Sequence, residues 1–231
     1  MKLFPAVLSE YIGSLLLTAI VIGSGIAAQQ LSPGHIGLEL LQNAGATAAG
    51  LYVLITLFGP VSGAHFNPLV SLVDVIVHKA SWRRALAYLP AQVAGCCTGA
   101  VLANAMFALP VVTLSTHHRI TGPHLLAEGV ATAGLILVIF GLSRTGQSAK
   151  SAPAVACYIA AAYFFTSSTS FANPAIAIGR MLTNSFAGIA PSSVPLFIIV
   201  ECGGAALALV LLHLLFSERN TNVHSLSLIH I

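Results

Sequence analysis

Charge is the property this sequence has least of. Only 6% of its 231 residues are Asp, Glu, Lys or Arg, whereas 57% are hydrophobic. Soluble domains carry roughly 25% charged residues, so a chain this poor in charge cannot cover a surface that faces water. The composition therefore excludes an ordinary soluble protein and predicts an integral membrane protein. The net charge of +3 lies in particular loops and gives no sign of a nucleic-acid partner.

Groups that carry out chemistry are also scarce. The chain has four cysteines, all within apolar stretches, and their spacing contains no pair of C-x-x-C motifs, so we expect small buried side chains and no metal site. We find no carboxylate pair, no nucleophile beside a base and no phosphate-binding loop. The sequence thus argues against an enzyme and against a cofactor.

Long apolar runs are what the chain does contain. A helix needs about 20 mostly apolar residues to cross a bilayer, and six segments reach or approach that length. They are residues 7–28, 38–58, 86–107, 125–142, 152–166 and 194–216. Two other apolar pieces, residues 67–77 and 173–186, are too short to cross, and each begins with Asn-Pro. We expect six transmembrane helices and two half-helices.

Basic residues are distributed unequally between the loops. Most of the nine Lys and Arg residues fall on one side of the six-span arrangement, and the positive-inside rule then places both termini in the cytoplasm. These residues are Lys2, Lys79, Arg83, Arg84, Arg144, Lys150 and Arg219, whereas Arg119 and Arg180 fall on the other side. We expect a multi-pass protein of a bacterial inner (plasma) membrane.

The two halves of the chain resemble each other. Each half has a glutamate at the entrance of its first span, Glu10 or Glu128, and an Asn-Pro at its half-helix. Three spans per half insert the second half upside down, and inverted repeats whose half-helices meet near the midplane form permeation sites. We expect one channel domain with repeats at about residues 5–108 and 122–216 and a tail at 217–231.

The two Asn-Pro motifs predict the centre of a pore. Proline suits the first turn of a helix and asparagine is a preferred N-cap, so each motif starts a half-helix inside the membrane. Non-helical backbone at that depth persists where it is buried in protein or lines a water-filled cavity. Two helix N-termini meeting there repel cations, and the amides of Asn67 and Asn173 donate to a passing solute. The predicted pore motifs are Asn67-Pro68-Leu69 and Asn173-Pro174-Ala175.

Glu10 and Glu128 stand within apolar spans, where ionisable side chains are costly and usually have partners. We expect each carboxylate to accept backbone N–H groups from the loop of its own half. Direct contact between these carboxylates and a solute is the alternative.

The stretches Ser62-Gly63-Ala64-His65-Phe66-Asn67-Pro68 and Phe171-Ala172-Asn173-Pro174-Ala175 resemble the two signature loops of the aquaporin, or major intrinsic protein, family. The resemblance covers roughly residues 5–216. It implies an all-α, aquaporin-like bundle of six transmembrane helices plus two half-helices in an inverted repeat. It also implies a homotetramer with one pore per subunit, contact with membrane lipid, small neutral solutes as partners, and a role for His65 in fixing the first signature loop.

Two departures from the family pattern bear on the pore. Leu69 stands where the family usually has alanine, which affects packing or bore where the half-helices meet. The resemblance also places a selectivity filter at Thr47, Ala161, Ser170 and Ile176, and family members usually carry arginine at the last of these positions. This ring has no charge, aromatic or histidine, so we expect a wide, weakly polar filter. Arg180 lies one turn further along and is not expected to fill the same place.

The second signature loop, with Ile178-Gly179-Arg180 and Phe186-Ala187-Gly188-Ile189 after it, resembles a bacterial subgroup that lacks the filter arginine and is associated with arsenic resistance. The resemblance implies a passive channel for polyols and metalloid hydroxides such as arsenous acid, with water. Three alternatives remain open: a water-selective aquaporin, an ion-coupled secondary transporter, and a non-conducting structural membrane protein.

Overall fold

A computed structural model describes residues 2–216, and the regular structure within that range is helical throughout. Its helices are α1 Leu3–Leu31, α2 Ile36–Ser62, α3 Pro68–His78, α4 Trp82–Met106, α5 Gly122–Arg144, α6 Ser151–Phe165, α7 Pro174–Arg180 and α8 Val194–Leu215. The predictions for Arg219 and for the tail at 217–231 lie outside the described residues.

The fold class predicted from the sequence is confirmed. In the described part of the chain, α1, α2, α4, α5 and α8 are long and apolar enough to cross a membrane. Helix α6 is the short member, with 15 residues. Helices α3 and α7 are half-helices of 11 and 7 residues. The Asn-Pro pairs therefore start short helices between the longer ones.

Glycine lets the long helices pack closely in the same way in both halves. A Cβ atom at Gly99 of α4 would collide with the carbonyl oxygen of Leu15 in α1. A Cβ atom at Gly204 of α8 would collide with the carbonyl oxygen of Gly129 in α5. Small residues permit such backbone contact between helices in lipid, where apolar burial alone gives little drive for association. The α1–α4 and α5–α8 pairs thus form matching supports for the two half-helices.

The second half-helix is shorter than predicted, since it ends at Arg180 and not near residue 186. After it the chain turns and pairs with other segments. The carbonyl oxygens of residues 180–182 accept N–H groups from Ile189, Ser115 and Thr113 at 3.3, 3.0 and 3.1 Å. These bonds fix the residues after α7 against the loop between α4 and α5, which is why the helical pattern stops there.

Candidate solute pore

A cavity of about 270 Å³ lies between the two halves of the bundle. At one end it is lined by Asp74 and His78 of α3 and Ser143 of α5, which we call the α3 mouth. At the other end it is lined by Ile176 and Arg180 of α7, which we call the α7 mouth. Much of the lining is apolar, and α1, α2, α3, α5 and α6 all contribute side chains to it, among them Leu17, Leu51, Val70, Leu135, Val155 and Ile159.

The polar wall of the cavity is built from two loops with the same backbone shape. The first loop is residues 63–67 and the second is residues 169–173. Each has three residues with positive φ at corresponding positions, and these are Gly63, Ala64 and Phe66 in the first and Thr169, Ser170 and Ala172 in the second. Five of the six are not glycine, and such residues rarely adopt this conformation. The surrounding contacts must therefore hold both loops in place.

Glu10, which is fully buried, contacts the first loop directly. Its carboxylate accepts the backbone N–H of His65 at 2.9 Å and that of Phe66 at 2.7 Å. It also accepts the hydroxyl of Ser62 at 2.6 Å and the side-chain amide of Gln92 at 2.8 Å. Four donors around one carboxylate compensate for its loss of hydration. Glu10 is therefore positioned to hold the loop.

Glu128 occupies the equivalent place in the second half. Its two oxygens accept the backbone N–H groups of Phe171 and Ala172 at 2.9 and 2.8 Å. The next N–H along the chain, that of Asn173, goes to Glu201 of α8 at 3.0 Å. The second loop therefore rests on two carboxylates, whereas the first rests on one carboxylate supported by an amide.

His65 lies in the first loop and lines the cavity. Its Nδ1 is 3.0 Å from the hydroxyl of Ser71 on α3, and its ring packs edge-on against Tyr88 of α4. Tyr88 in turn donates its hydroxyl to the carbonyl oxygen of Ser62 at 2.9 Å. His65 therefore connects the first loop to both neighbouring helices, α3 and α4.

Asn67 and Asn173 link the two loops to each other at the centre of the cavity. Their Oδ1 atoms cap α3 and α7 by accepting the N–H groups of Leu69 and Ala175 at 2.9 and 3.0 Å. Each Nδ2 donates to the opposite loop at 2.7 Å, since Asn67 bonds the carbonyl oxygen of Ala172 and Asn173 bonds that of Phe66. An amide NH₂ has two donors, so each asparagine keeps one N–H for a solute.

The remaining motif residues support the half-helices without lining the cavity. Pro68 and Pro174 occupy the first turns of α3 and α7, and Ala175 is fully buried. Leu69 is also buried, in the apolar cluster that α3 forms with α5 and α8. The larger side chain at this position therefore fills a contact between helices and does not point into the path.

The structure brings three of the four predicted filter residues to the α7 mouth and leaves the fourth outside. Thr47, Ser170 and Ile176 line the cavity. Ala161 does not, because it lies on the exposed face of α6. The same helix contributes Tyr163, whose hydroxyl is 3.2 Å from that of Thr47. A tyrosine–threonine contact thus joins α6 to α2 in the cavity wall.

The α7 mouth is not free of aromatic and charged groups, contrary to the sequence-based expectation. Tyr163 and Arg180 both line it, and Arg180 is only 2% exposed. That expectation places Arg180 one turn beyond the filter position and assigns it no role in the lining, although helical spacing indicates one. Arg180 follows Ile176 by four residues, and residues four apart share a helix face. The hydroxyl of Ser170, also in the wall, is buried without a partner among the described residues.

The α3 mouth holds a polar cluster that the sequence did not reveal. Asp74 is 2.8 Å from Nδ1 of His78 and 3.4 Å from the guanidinium of Arg84. The other ring nitrogen of His78 is 2.7 Å from the hydroxyl of Ser143, which connects α3 to α5. Asp74 thus has one cationic neighbour, Arg84, and one hydrogen-bonding neighbour, His78. Within the described residues, no group of three or more His, Cys, Asp or Glu side chains could hold a metal ion.

The loop between α4 and α5 packs beside the α7 mouth. The carbonyl oxygen of His117 accepts the N–H of Ala190 at 2.8 Å. Burial, together with the charge of Arg119, lowers the pKa of the His117 side chain. We therefore expect His117 to be neutral at pH 7, so the positive charge near this mouth comes from Arg119 and Arg180.

Known proteins resemble the chain over most of its length. Residues 1–167 match the family model described as Major intrinsic protein. The chain is 47% identical over 220 residues to Aquaglyceroporin AqpS of Rhizobium meliloti (strain 1021). This alignment covers 95% of this chain and 93% of that protein. It is 34% identical over 140 residues to the lens fiber major intrinsic protein of Gallus gallus, covering 58% of this chain and 52% of that protein.

A solved structure supports the same architecture. The X-ray structure of the aquaglyceroporin from Plasmodium falciparum superposes with a TM-score of 0.71, covering 91% of this chain and 96% of that chain. The sequence identity between the two is 17%. At that identity the likeness concerns the fold alone, and the fold is the one predicted from the motifs.

Proposed function

The chain belongs to the major intrinsic protein family, and on that premise we propose that it is a passive membrane channel for polyols and other small uncharged solutes. We extend the proposal to metalloid hydroxides such as arsenous acid, with water passing through the same path. The name of the relative AqpS, an aquaglyceroporin, supports glycerol as one solute.

The observation that carries this proposal is the mixed lining of the cavity. A few polar groups, among them the remaining amide N–H groups of Asn67 and Asn173 and the hydroxyl of Ser170, stand among many apolar side chains. A polyol has a matching form, with hydroxyl groups along one edge and C–H groups along the other. Few fixed polar groups in a mostly apolar channel orient such a solute without binding it strongly.

Ile176 supports solutes larger than water. An isoleucine at this position of the wall has no guanidinium to narrow the path or to bind a solute. Arsenous acid is a neutral trihydroxide near pH 7 and presents hydroxyl groups much as a polyol does. We propose Thr47, Ser170 and Ile176 as the filter positions of this chain, with Tyr163 in place of Ala161.

We also propose an orientation of the chain in the membrane and an oligomeric state. By the positive-inside rule, the α3 mouth faces the cytoplasm, together with both termini, and the α7 mouth faces the opposite side. We propose a homotetramer in the bacterial plasma membrane with one pore in each subunit. The long helices leave large apolar side chains exposed, such as Leu41, Leu57 and Ile199, and these fit contact with lipid or with neighbouring subunits.

Stopped-flow light scattering on proteoliposomes tests the proposal by comparing water, glycerol and arsenous acid in one preparation. A passive channel would be supported if the flux of all three solutes is fast, rises linearly with solute concentration and does not depend on ion gradients. Saturable flux that follows an ion gradient would instead indicate a coupled transporter. If folded protein moves none of the three, the structural alternative is correct.

A water-selective channel is the second candidate, and the contact between Tyr163 and Thr47 favours it by closing part of the wall. Fast water flux without glycerol or arsenous acid flux would establish this alternative.

Replacing Ile176 with arginine sharpens the distinction. The Ile176→Arg variant should reduce glycerol and arsenous acid flux much more than water flux, because it adds a bulky cation to the wall. The control is Ile176→Met, which adds length without charge and should reduce the solutes less. If Ile176→Arg leaves all fluxes unchanged, residue 176 is not part of the filter.

A further inference from the structure

Arg180 is a buried cation that faces the solute path. It lines the same cavity as Ile176 and lies one helical turn further along α7, on the same face. A charged side chain at membrane depth is costly, and such residues are usually paired or mark a permeation path. The groups around Arg180 therefore decide how much of its charge acts on the cavity.

The guanidinium of Arg180 is held in place without a direct ion pair, and Glu128 attracts it without contacting it. It lies over the ring of Phe171, 3.5 Å from the ring centroid, an arrangement that stabilises a cation. Its Nε donates to the carbonyl oxygen of Ala187. Within residues 2–216 this is its one hydrogen bond, and the ion pairs found there all involve Asp74 at the α3 mouth. Its terminal nitrogens thus have no hydrogen-bond partner among the described residues, and its side chain lines the cavity.

Arg119 provides an internal comparison, because it approaches the same ring from the loop between α4 and α5. Its guanidinium is 5.3 Å from the centroid of Phe171. All three of its nitrogens donate to backbone carbonyl oxygens, namely those of Gly188, Ser168 and Phe186 at 3.1, 3.4 and 3.4 Å. Arg119 is not among the residues that line the cavity. It stabilises the loops, whereas Arg180 faces the path.

We propose that Arg180 is the cation-excluding residue of this pore and acts one turn away from the position that Ile176 occupies. This inference rests on the proposed channel function and adds a specificity-determining residue to it. A fixed positive charge in a narrow, weakly solvated path opposes every cation that enters, while neutral hydroxyl-bearing solutes meet only additional N–H donors. Arg180 thereby determines the selectivity against charged solutes, whereas Ile176 determines the size of solute that the path admits.

Urea and guanidinium form the matched pair of probes, because they have nearly the same planar shape and differ in charge. The experiment measures the guanidinium-to-urea permeability ratio in proteoliposomes that contain wild type, Arg180→Gln, Arg180→Lys or Arg119→Gln protein. Arg180→Gln should raise the ratio by about tenfold or more, since it removes the charge and keeps a donor. Arg180→Lys and Arg119→Gln should keep the ratio near that of wild type.

Two results would overturn the proposal. The first is a ratio for Arg180→Gln that equals the wild-type ratio in a variant that still conducts urea. The second is an equal rise in Arg119→Gln, which would attribute the effect to loop packing. Arg180→Met repeats the test if size-exclusion chromatography shows that Arg180→Gln is misfolded. If the wild-type protein conducts neither glycerol nor urea, the channel proposal itself fails, and this one fails with it.

Discussion

The first loop and the second loop have the same backbone shape but different surroundings. Directly before each loop stands a serine, Ser62 or Ser168, whose hydroxyl accepts the N–H two residues further on, at 3.0 and 3.3 Å. Each loop has a glutamate that accepts two successive backbone N–H groups, and each has an asparagine that bonds the other loop. These shared contacts are the ones that fix the centre of the cavity.

The half-helices that follow the loops differ at their far ends. Helix α3 ends at the α3 mouth, where Asp74 forms an ion pair with Arg84 and contacts His78. Helix α7 ends with Arg180, which forms no ion pair among the described residues. The comparison teaches that the features common to both halves set the shape of the pore, whereas the features that differ set what passes through it.

The largest loss of stability should come from removing the carboxylate of Glu10, which holds the first loop. The Glu10→Gln variant places an NH₂ group among four donors, so we expect the free energy of unfolding to fall by about 3 kcal/mol or more. In Glu128→Gln the donors affected are the N–H groups of Phe171 and Ala172 and the hydroxyl of Ser168, one fewer than at Glu10. Because the N–H of Asn173 stays on Glu201, the expected loss is smaller, about 2 kcal/mol. Denaturation in detergent, followed by circular dichroism, measures both.

Glu39→Gln is the control for these two variants, because Glu39 is also buried but accepts an N–H from Gly34, away from both loops. It should destabilise the protein less than either. Equal losses for Glu10→Gln and Glu128→Gln would contradict the ranking and would mean that Glu201 contributes little to the second loop.

Replacing either central asparagine should cause an intermediate loss of stability, and the two losses should be equal. Asn67→Ala and Asn173→Ala each remove a helix cap and a bond to the opposite loop, together worth about 2 kcal/mol. Glycerol flux should fall in both, because the donors at the centre of the path are lost. A clearly unequal pair of unfolding energies or fluxes would show that the two loops are not equivalent in energy, although they match in geometry.

The smallest effect is expected at the α3 mouth. The His78 side chain is 42% exposed, and exposed contacts of this kind contribute about 0–1 kcal/mol. His78→Ala should therefore change stability little and should leave the guanidinium-to-urea permeability ratio unchanged. A rise in that ratio comparable with the rise for Arg180→Gln would place cation exclusion at both mouths and remove the contrast between them.

Much of the fold was predictable because lipid imposes simple rules on sequence. Continuous apolar runs located the long helices, and the Asn-Pro pairs located the starts of α3 and α7. The end of α7 was not predictable, because it depends on hydrogen bonds from Thr113 and Ser115, which are distant in sequence. Local pattern contains no information about such partners.

Site residues within the Asn-Pro motifs could be predicted from the sequence. Site residues on α6 could not, because the rotation of that helix determines which of its side chains face the cavity. Neighbouring residues of a helix point about 100° apart, so an error of one or two positions on α6 exchanges Ala161 for Tyr163. An almost uniformly apolar helix such as α6 has no polar face from which its rotation could be read. Arg180 was left out of the predicted lining for a related reason, since the expectation asked only whether it fills the position of Ile176 and not whether the two residues share a face of α7.

The reciprocal bonds of Asn67 and Asn173 also have a consequence for biosynthesis. They join residues 105 and 107 positions apart, so the Asn67 side-chain amide and the carbonyl oxygen of Phe66 lack these partners until the second half has been made and inserted, although Glu10 can already hold the first loop. Contacts between such distant residues form late, because the intervening chain must first be ordered. We therefore expect the centre of the path to be the last part to mature, and a ribosome-bound first half to expose its loop to proteases.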